Sequence, residues 1–222
     1  ISSKERMFRL LQGDVGSGKT IVALISAFNV INSGFQVAVM APTEILARQH
    51  FLLARKIFKS SLNIKLLSGK SEAKDRKIII KDLLNNKINL IFGTHAIFQT
   101  KIKFKNLGLI IIDEQHKFGV NQRKKLSDKG GDNCDVLLMS ATPIPRTLTM
   151  TIYGDMDLSI IKEKPKFRKE IKTYTKLESK TEEIIKFIKK EIKLGNQVFW
   201  VCPLIDESKK INYSSAIKKF KY

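Results

Sequence analysis

The 222-residue chain is long enough for one large or two small domains, and its 43% hydrophobic content is that of a folded globular protein. Forty-one Lys and Arg residues against 21 Asp and Glu give a formal charge of +20. Part of that excess belongs to a general Lys, Ile and Asn bias, but its size points to a polyanionic partner, most simply nucleic acid. No apolar run reaches the length of a membrane span, and the only cysteines, Cys134 and Cys202, form neither a metal-ligand pattern nor a disulfide framework, which fits a reducing cytoplasm.

In chain order, residues 8–12 form a short apolar stretch that predicts a buried strand. The string Gly13-Asp14-Val15-Gly16-Ser17-Gly18-Lys19-Thr20 follows, and residues 19–32 predict a helix ended by Gly34. Strand, Gly-rich turn and helix together are the context of a phosphate-binding loop (P-loop). The glycines let the backbone curl its N–H groups toward one anion, and the helix directs its positive end to the same point. Lys19 can reach terminal phosphates, and the Thr20 hydroxyl can hold Mg2+.

Residues 36–41 predict the next strand, and Thr43 can cap an amphipathic helix over 44–59 with a basic side. Residues 64–68 predict a strand, 71–86 a helix, 89–94 a strand, and 95–98 a short helical turn. Residues 101–105 alternate basic and apolar, as an edge strand or a wet connection would. The run 108–114 is the most continuous apolar stretch and predicts a strand covered on both faces. Residues 117–129 predict helix and loop, 135–140 a buried strand, and 146–153 a helix after Pro143-Ile144-Pro145. Strands alternating with helices over 8–155 predict a mostly parallel, doubly wound α/β sheet.

The charged stretch 163–169 is the candidate linker between a domain over 1–162 and the start of a second α/β domain over 170–222. In the latter, 171–175 predict a strand, 178–194 an amphipathic helix, and 197–202 a buried strand.

Asp113-Glu114 closes the longest apolar run. In open α/β sheets ligands bind beyond the carboxyl ends of strands, so the fold brings this pair to the edge that holds the phosphate loop. There Asp113 can serve Mg2+ and Glu114 can orient or deprotonate water. Gln115 and His116 extend the same edge, and Ser140-Ala141-Thr142-Pro143 ends another core strand beside it. His50 and His95 are assigned the ordinary role of a lone histidine, structural or solvated.

Residues 13–20, 41–47, 93–95, 113–116 (Asp-Glu-Gln-His) and 140–143 resemble motifs I, Ia, Ib, II and III of the superfamily 2 helicases, in order. The longer strings 10–20, 113–120 and 140–148 resemble the bacterial branched-DNA helicases within that superfamily, and 201–208 resemble the start of their second motor domain. The resemblance implies a RecA-like P-loop NTPase fold and an ATP- and Mg2+-dependent DNA helicase. The implied protein works as a cytoplasmic, monomeric motor on branched DNA with duplex arms, in repair and recombination, without a membrane partner. Lys19 and Thr20 would bind phosphate and metal, Asp113 the metal, and Glu114 water. Gln115, His116, Ser140 and Thr142 would couple nucleotide to motion, and Thr43, Arg48, Gly93 and Thr94 would face the DNA backbone. Lys117 stands where the family more often has Arg.

Transcription-repair coupling translocases share most of these strings but usually carry Asp-Glu-Glu-His. A basic, catalytically incomplete nucleic-acid-binding piece is the other alternative. An adenine-reading Gln motif and a branch-gripping domain are expected before residue 1, and an arginine finger beyond Tyr222. Because such a finger contributes about 10³ to 10⁵ in rate, the chain alone is expected to bind ATP weakly and hydrolyse it poorly.

Overall fold

The apolar runs become strands whose alternate residues face opposite sides of one sheet. On one face Leu10, Ala38, Met40, Ile110, Ile112 and Leu138 join a buried cluster. On the other, Leu11, Val39, Ile111, Leu137 and Met139 join a second. Double burial of this kind is what a parallel sheet covered by helices requires. The computed structural model describes residues 6–69, 72–99, 102–114, 134–142, 156–163 and 170–202.

The strands are β1 (Phe8–Gly13), β2 (Gln36–Met40), β3 (Ile64–Leu67), β4 (Leu90–Gly93), β5 (Leu107–Ile112), β6 (Asp135–Ser140) and β7 (Asp157–Ile161). They form one sheet in the order β3-β4-β2-β5-β6-β1-β7, and every pairing is parallel. Helix α1 (Lys19–Asn32) buries Ala23, Leu24, Ala27, Val30 and Ile31 on the second face, where Ala54 of α2 (Glu44–Phe58) also packs. Helix α3 (Ala73–Leu84) buries Ile79 and Leu83 on the first. The expected cap of α2 is in place, with Thr43 Oγ1 accepting a hydrogen bond from Leu46 N at 3.3 Å.

β7 had no counterpart in the sequence reading. Among the described residues it pairs with β1 alone, and the Arg9 guanidinium fastens the two by donating to Asp157 Oδ2 and Ser159 Oγ, each at 2.8 Å. Residues 102–105 are a connection and not an edge strand. Ile102 is buried and Phe104 half-buried while Lys103 and Lys105 face water, so the alternation reflects packing without pairing. The chain turns there onto Gln36, which is 1% exposed. Its amide donates to Leu83 O and Ile88 O and accepts from Lys105 N and Asn106 N, all at 3.0–3.1 Å. Cys134 is fully buried just before β6, and burial pushes its thiol up to about 12, so the side chain stays protonated and acts as a small apolar filler.

The chain divides into two units, Ile1–Arg168 and Lys169–Tyr222. In the second, a 3-10 turn (Glu178–Lys180) leads into helix α4 (Thr181–Lys193). The strands expected over 171–175 and 197–202 do not form among its described residues. A strand needs a hydrogen-bonding neighbour, and none of the described residues of this unit supplies one. Phe199 and Val201 are 86% and 87% exposed where a buried strand was expected.

Candidate nucleotide site and its flanks

Parallel pairing brings the carboxyl ends of five strands into one row. Gln12 of β1 stands opposite Ser140 of β6. Ile112 of β5 stands opposite Leu138 of β6 and Met40 of β2, and Met40 opposite Gly93 of β4. The phosphate loop, Ser140-Ala141-Thr142, Asp113-Glu114, Pro42-Thr43 and Thr94 therefore follow one another along a single sheet edge, where α/β sheets bind ligands.

The loop begins at Gly13, where a Cβ would lie 2.6 Å from Ser17 Oγ and 3.1 Å from Ile161 Cβ, so a larger residue would displace the Ser17 hydroxyl and press on Ile161. Gly16 and Gly18 take φ of 79° and 97°, the left-handed region open to glycine. Asp14 Oδ1 accepts from Val15 N at 2.8 Å. The Lys19 ammonium spans the loop, donating to Gly13 O at 2.7 Å and Asp14 O at 2.9 Å. Gly18, the N-cap of α1, offers no side-chain cap to the helix N–H groups, and Ser17 Oγ is a buried hydroxyl without a hydrogen-bond partner. Thr20, half-buried, lies in that first turn. A cradle of uncapped helix N–H groups, an orphan hydroxyl and an ammonium fits an anion such as phosphate.

Asp113 follows β5 and is 8% exposed. Its main-chain N–H donates to Met40 O at 2.9 Å, its Oδ1 accepts from Glu114 N at 3.0 Å, and its Oδ2 lies 2.8 Å from His50 Nε2 of α2. The fold of the carboxylate onto the next N–H supports Glu114 at φ 50°, a left-handed conformation that non-glycine residues adopt at a cost and that concentrates at functional sites. No group of three or more His, Cys, Asp or Glu among the described residues could hold a metal by itself. Mg2+ commonly takes one or two carboxylates and completes its shell with phosphate and water, so a lone Asp113 beside a phosphate cradle fits that ion and no all-protein cage.

Ser140 is fully buried. Its Oγ lies 2.9 Å from Thr142 Oγ1 and accepts from Thr142 N at 3.2 Å, closing a turn between the two predicted coupling residues. Gln12, 7% exposed, reaches the same turn and donates to Thr142 O at 3.3 Å, linking the strand of the phosphate loop to it. Of the residues expected to face DNA, Thr43 and Arg48 are exposed on α2 and Thr94 is half-exposed at the end of β4. Gly93 is buried, and its glycine identity has a packing cause: a Cβ would collide with Leu67 O and come within 2.9 Å of Ile97 Cγ1. Ala41 N donates to Gly93 O at 2.9 Å, which joins these two flanks. Gln115, His116 and Lys117 lie outside the described residues.

Sequence reasoning missed two participants. Gln12 carried a signal, a polar residue ending an apolar strand directly before the loop. His50 carried none, because its partner is 63 residues away and only the packing of α2 on the sheet joins them.

Residues 1–151 match the sequence family described as DEAD/DEAH box helicase. The chain is 51% identical over 216 residues to the ATP-dependent DNA helicase RecG of Aquifex aeolicus, covering 96% of this chain and 27% of that protein. It is 50% identical over 218 residues to RecG of Bacillus subtilis, covering 98% and 32%. The chain thus spans about a third or less of the relatives it matches. Among solved structures it resembles RecG bound to a three-way DNA junction, with a TM-score of 0.77 and 42% identity over 91% of this chain and 27% of that one. The helicase domain of Pyrococcus furiosus Hef, 19% identical with a TM-score of 0.52, shares the fold.

Proposed function

The chain belongs to the DEAD/DEAH box helicase family, and from that premise we propose that it carries the ATP-binding half of a DNA-translocating motor that acts on branched DNA. In this reading residues 1–162 are the first RecA-like motor domain, 163–169 the linker and 170–222 the start of the second. The protein would be a cytoplasmic, monomeric ATPase of repair and recombination. The observation that carries the proposal is the row of strand ends, which puts a phosphate cradle, the Asp113-Glu114 pair and the Ser140–Thr142 turn on one edge with the exposed flank of α2. Similarity to RecG over nearly the whole chain supports branched DNA as the substrate. The charge of +20 suits a phosphate backbone.

Each residue has a derivable task. The glycines of 13–18 let main-chain N–H groups face the β- and γ-phosphates. Lys19 exchanges its carbonyl partners at Gly13 and Asp14 for phosphate oxygen. Thr20 and Asp113 would hold Mg2+, whose chemistry when bound is to neutralise charge on the phosphate oxygens. Glu114, held at the edge by the Asp113 turn, takes the proton of the attacking water. The Ser140–Thr142 turn, joined to the loop strand through Gln12, relays the occupancy of the cradle. Thr43, Arg48 and Thr94 meet the DNA backbone as hydroxyl and guanidinium donors, while Gly93, buried with its carbonyl bonded to Ala41 N, supports that flank by packing and not by contact.

The test is ATP hydrolysis by the full-length protein with and without forked DNA. Forked DNA should stimulate turnover, and Lys19→Ala should remove it. Absence of stimulation, or an unaffected Lys19→Ala variant, overturns the motor. DNA affinity that does not fall steeply between about 50 and 200 mM salt overturns the basic surface as the binding face.

A further inference from the structure

His50 departs from the ordinary behaviour of a lone histidine. Its side chain is 13% exposed and that of Asp113 is 12% exposed, with Nε2 and Oδ2 2.8 Å apart. An ionised carboxylate only accepts hydrogen bonds, so Nε2 carries the hydrogen and the ring donates. Asp113 is thereby held from two sides. Its main chain and Oδ1 are tied to the sheet edge, through Met40 O and Glu114 N, while Oδ2 is tied to α2. Helix α2 also presents the exposed Arg48 two residues before the ring and is capped by Thr43. A displacement of α2 against the sheet either moves this carboxylate with it or strains and breaks the bond, since both groups are packed with little room to turn.

We propose that His50 is a positioning residue that ties the orientation of the Asp113 carboxylate to the position of α2, so that contact of α2 with a nucleic-acid backbone is felt at the metal–nucleotide site. The inference rests on the roles of Asp113 and α2 given above. It adds a physical connection between them that runs through side chains and bypasses the Ser140–Thr142 turn. Coupling of this kind is a free energy shared by two ligands, so it appears as a change that one ligand makes in the binding of the other.

The experiment compares wild type, His50→Ala, His50→Leu and His50→Gln in the full-length protein. Gln places an amide donor near the position of Nε2, whereas Leu fills the space without a donor. Binding of a fluorescent ATP analogue is titrated with Mg2+, with and without forked DNA, alongside ATPase rates, DNA affinity and thermal melting. In wild type, DNA should lower the Mg2+ concentration for half-maximal binding. In the Ala and Leu variants that shift, about 5-fold or more in wild type by the usual span of coupling, should largely vanish, and DNA-stimulated kcat should fall with it. DNA affinity measured without nucleotide should stay within about twofold, because His50 itself is not placed on DNA, whereas with Mg2+ and the ATP analogue it should weaken by the same factor that is lost from the Mg2+ shift. Gln should restore most of the shift. If Ala lowers the melting temperature enough to unfold the protein, Gln against Leu decides. A Leu variant with the wild-type shift, or a Gln variant no better than Leu, overturns the proposal. A wild type without DNA-stimulated ATPase overturns the motor reading as well, whereas stimulation that survives in His50→Leu overturns this inference alone.

Discussion

Gln36 and Asp113 are both buried polar residues on the adjacent strands β2 and β5, but at opposite ends. Gln36 opens β2, 1% exposed, and all four of its amide bonds go to main-chain groups. Asp113 follows β5, 8% exposed, and one of its oxygens is given to a side chain, His50, on a separate helix. Burial is nearly equal in the two, so burial does not separate scaffold from site. What differs in this pair is the partner: the four main-chain bonds of Gln36 fix the path of the chain, whereas the bond of Asp113 to His50 holds the carboxylate in a place that a neighbouring helix can alter.

Substitutions can break this contrast. The largest effect is expected at the carboxyl edge: Glu114→Gln should lower kcat by about 10² to 10⁴, the range for loss of a general base, with the affinity of a fluorescent ATP analogue within a few-fold of wild type. Unaltered kcat would remove Glu114 from the chemistry. At the amino edge, Gln36→Leu leaves two carbonyls and two N–H groups without their amide. At about 1–3 kcal/mol per unsatisfied group, with water reaching some of them, it should cost about 3 kcal/mol in urea unfolding. ATPase per folded molecule should not change, so a kinetic defect in the folded variant would erase the distinction drawn here. Smallest is Thr43→Ala, about 1 kcal/mol of stability for a lost helix cap. If the Thr43 hydroxyl also meets a DNA phosphate, Thr43→Ala weakens DNA binding as well, and Thr43→Ser retains both. A loss of stability alone would leave Thr43 a cap and nothing more.

The chain was most legible where cause and effect are adjacent. β1, the loop and α1 are contiguous, and their glycines, cap and periodicity all lie within one window. The cap of α2 was readable for the same reason, since Thr43 and Leu46 are three residues apart. β7 was not, because a short edge strand with Asp157 at its start and an exposed Ile160 lacks the apolar continuity of the inner strands. Residues 197–202 misled in the opposite direction. Val198, Phe199, Trp200 and Val201 have strand propensity, but propensity forms no ladder without a neighbour, and among the described residues none pairs with them, leaving Phe199 and Val201 in water. In the site, the loop over 13–20, Asp113-Glu114 and Ser140-Ala141-Thr142 follow the carboxyl ends of their strands, as the alternation of strands and helices led one to expect. The contacts of His50 and Gln12 are tertiary, and no local pattern marks a contact across 63 or 130 residues.

The strand order has a consequence for synthesis. β3, β4, β2 and β5 are neighbours in the sheet and all come from residues 36–112, so that part of the sheet has its partners in hand early. β1 is made before the other six strands of this sheet, yet its neighbours are β6 and β7, which start at residues 135 and 157. A chain emerging from the ribosome in order must hold its first strand unpaired until most of this unit has followed, which is the kinetic burden of high contact order. Gly13, packed against Ile161, and with it the anion cradle, becomes whole last. A nascent chain therefore completes this cradle only after the rest of the sheet is in place.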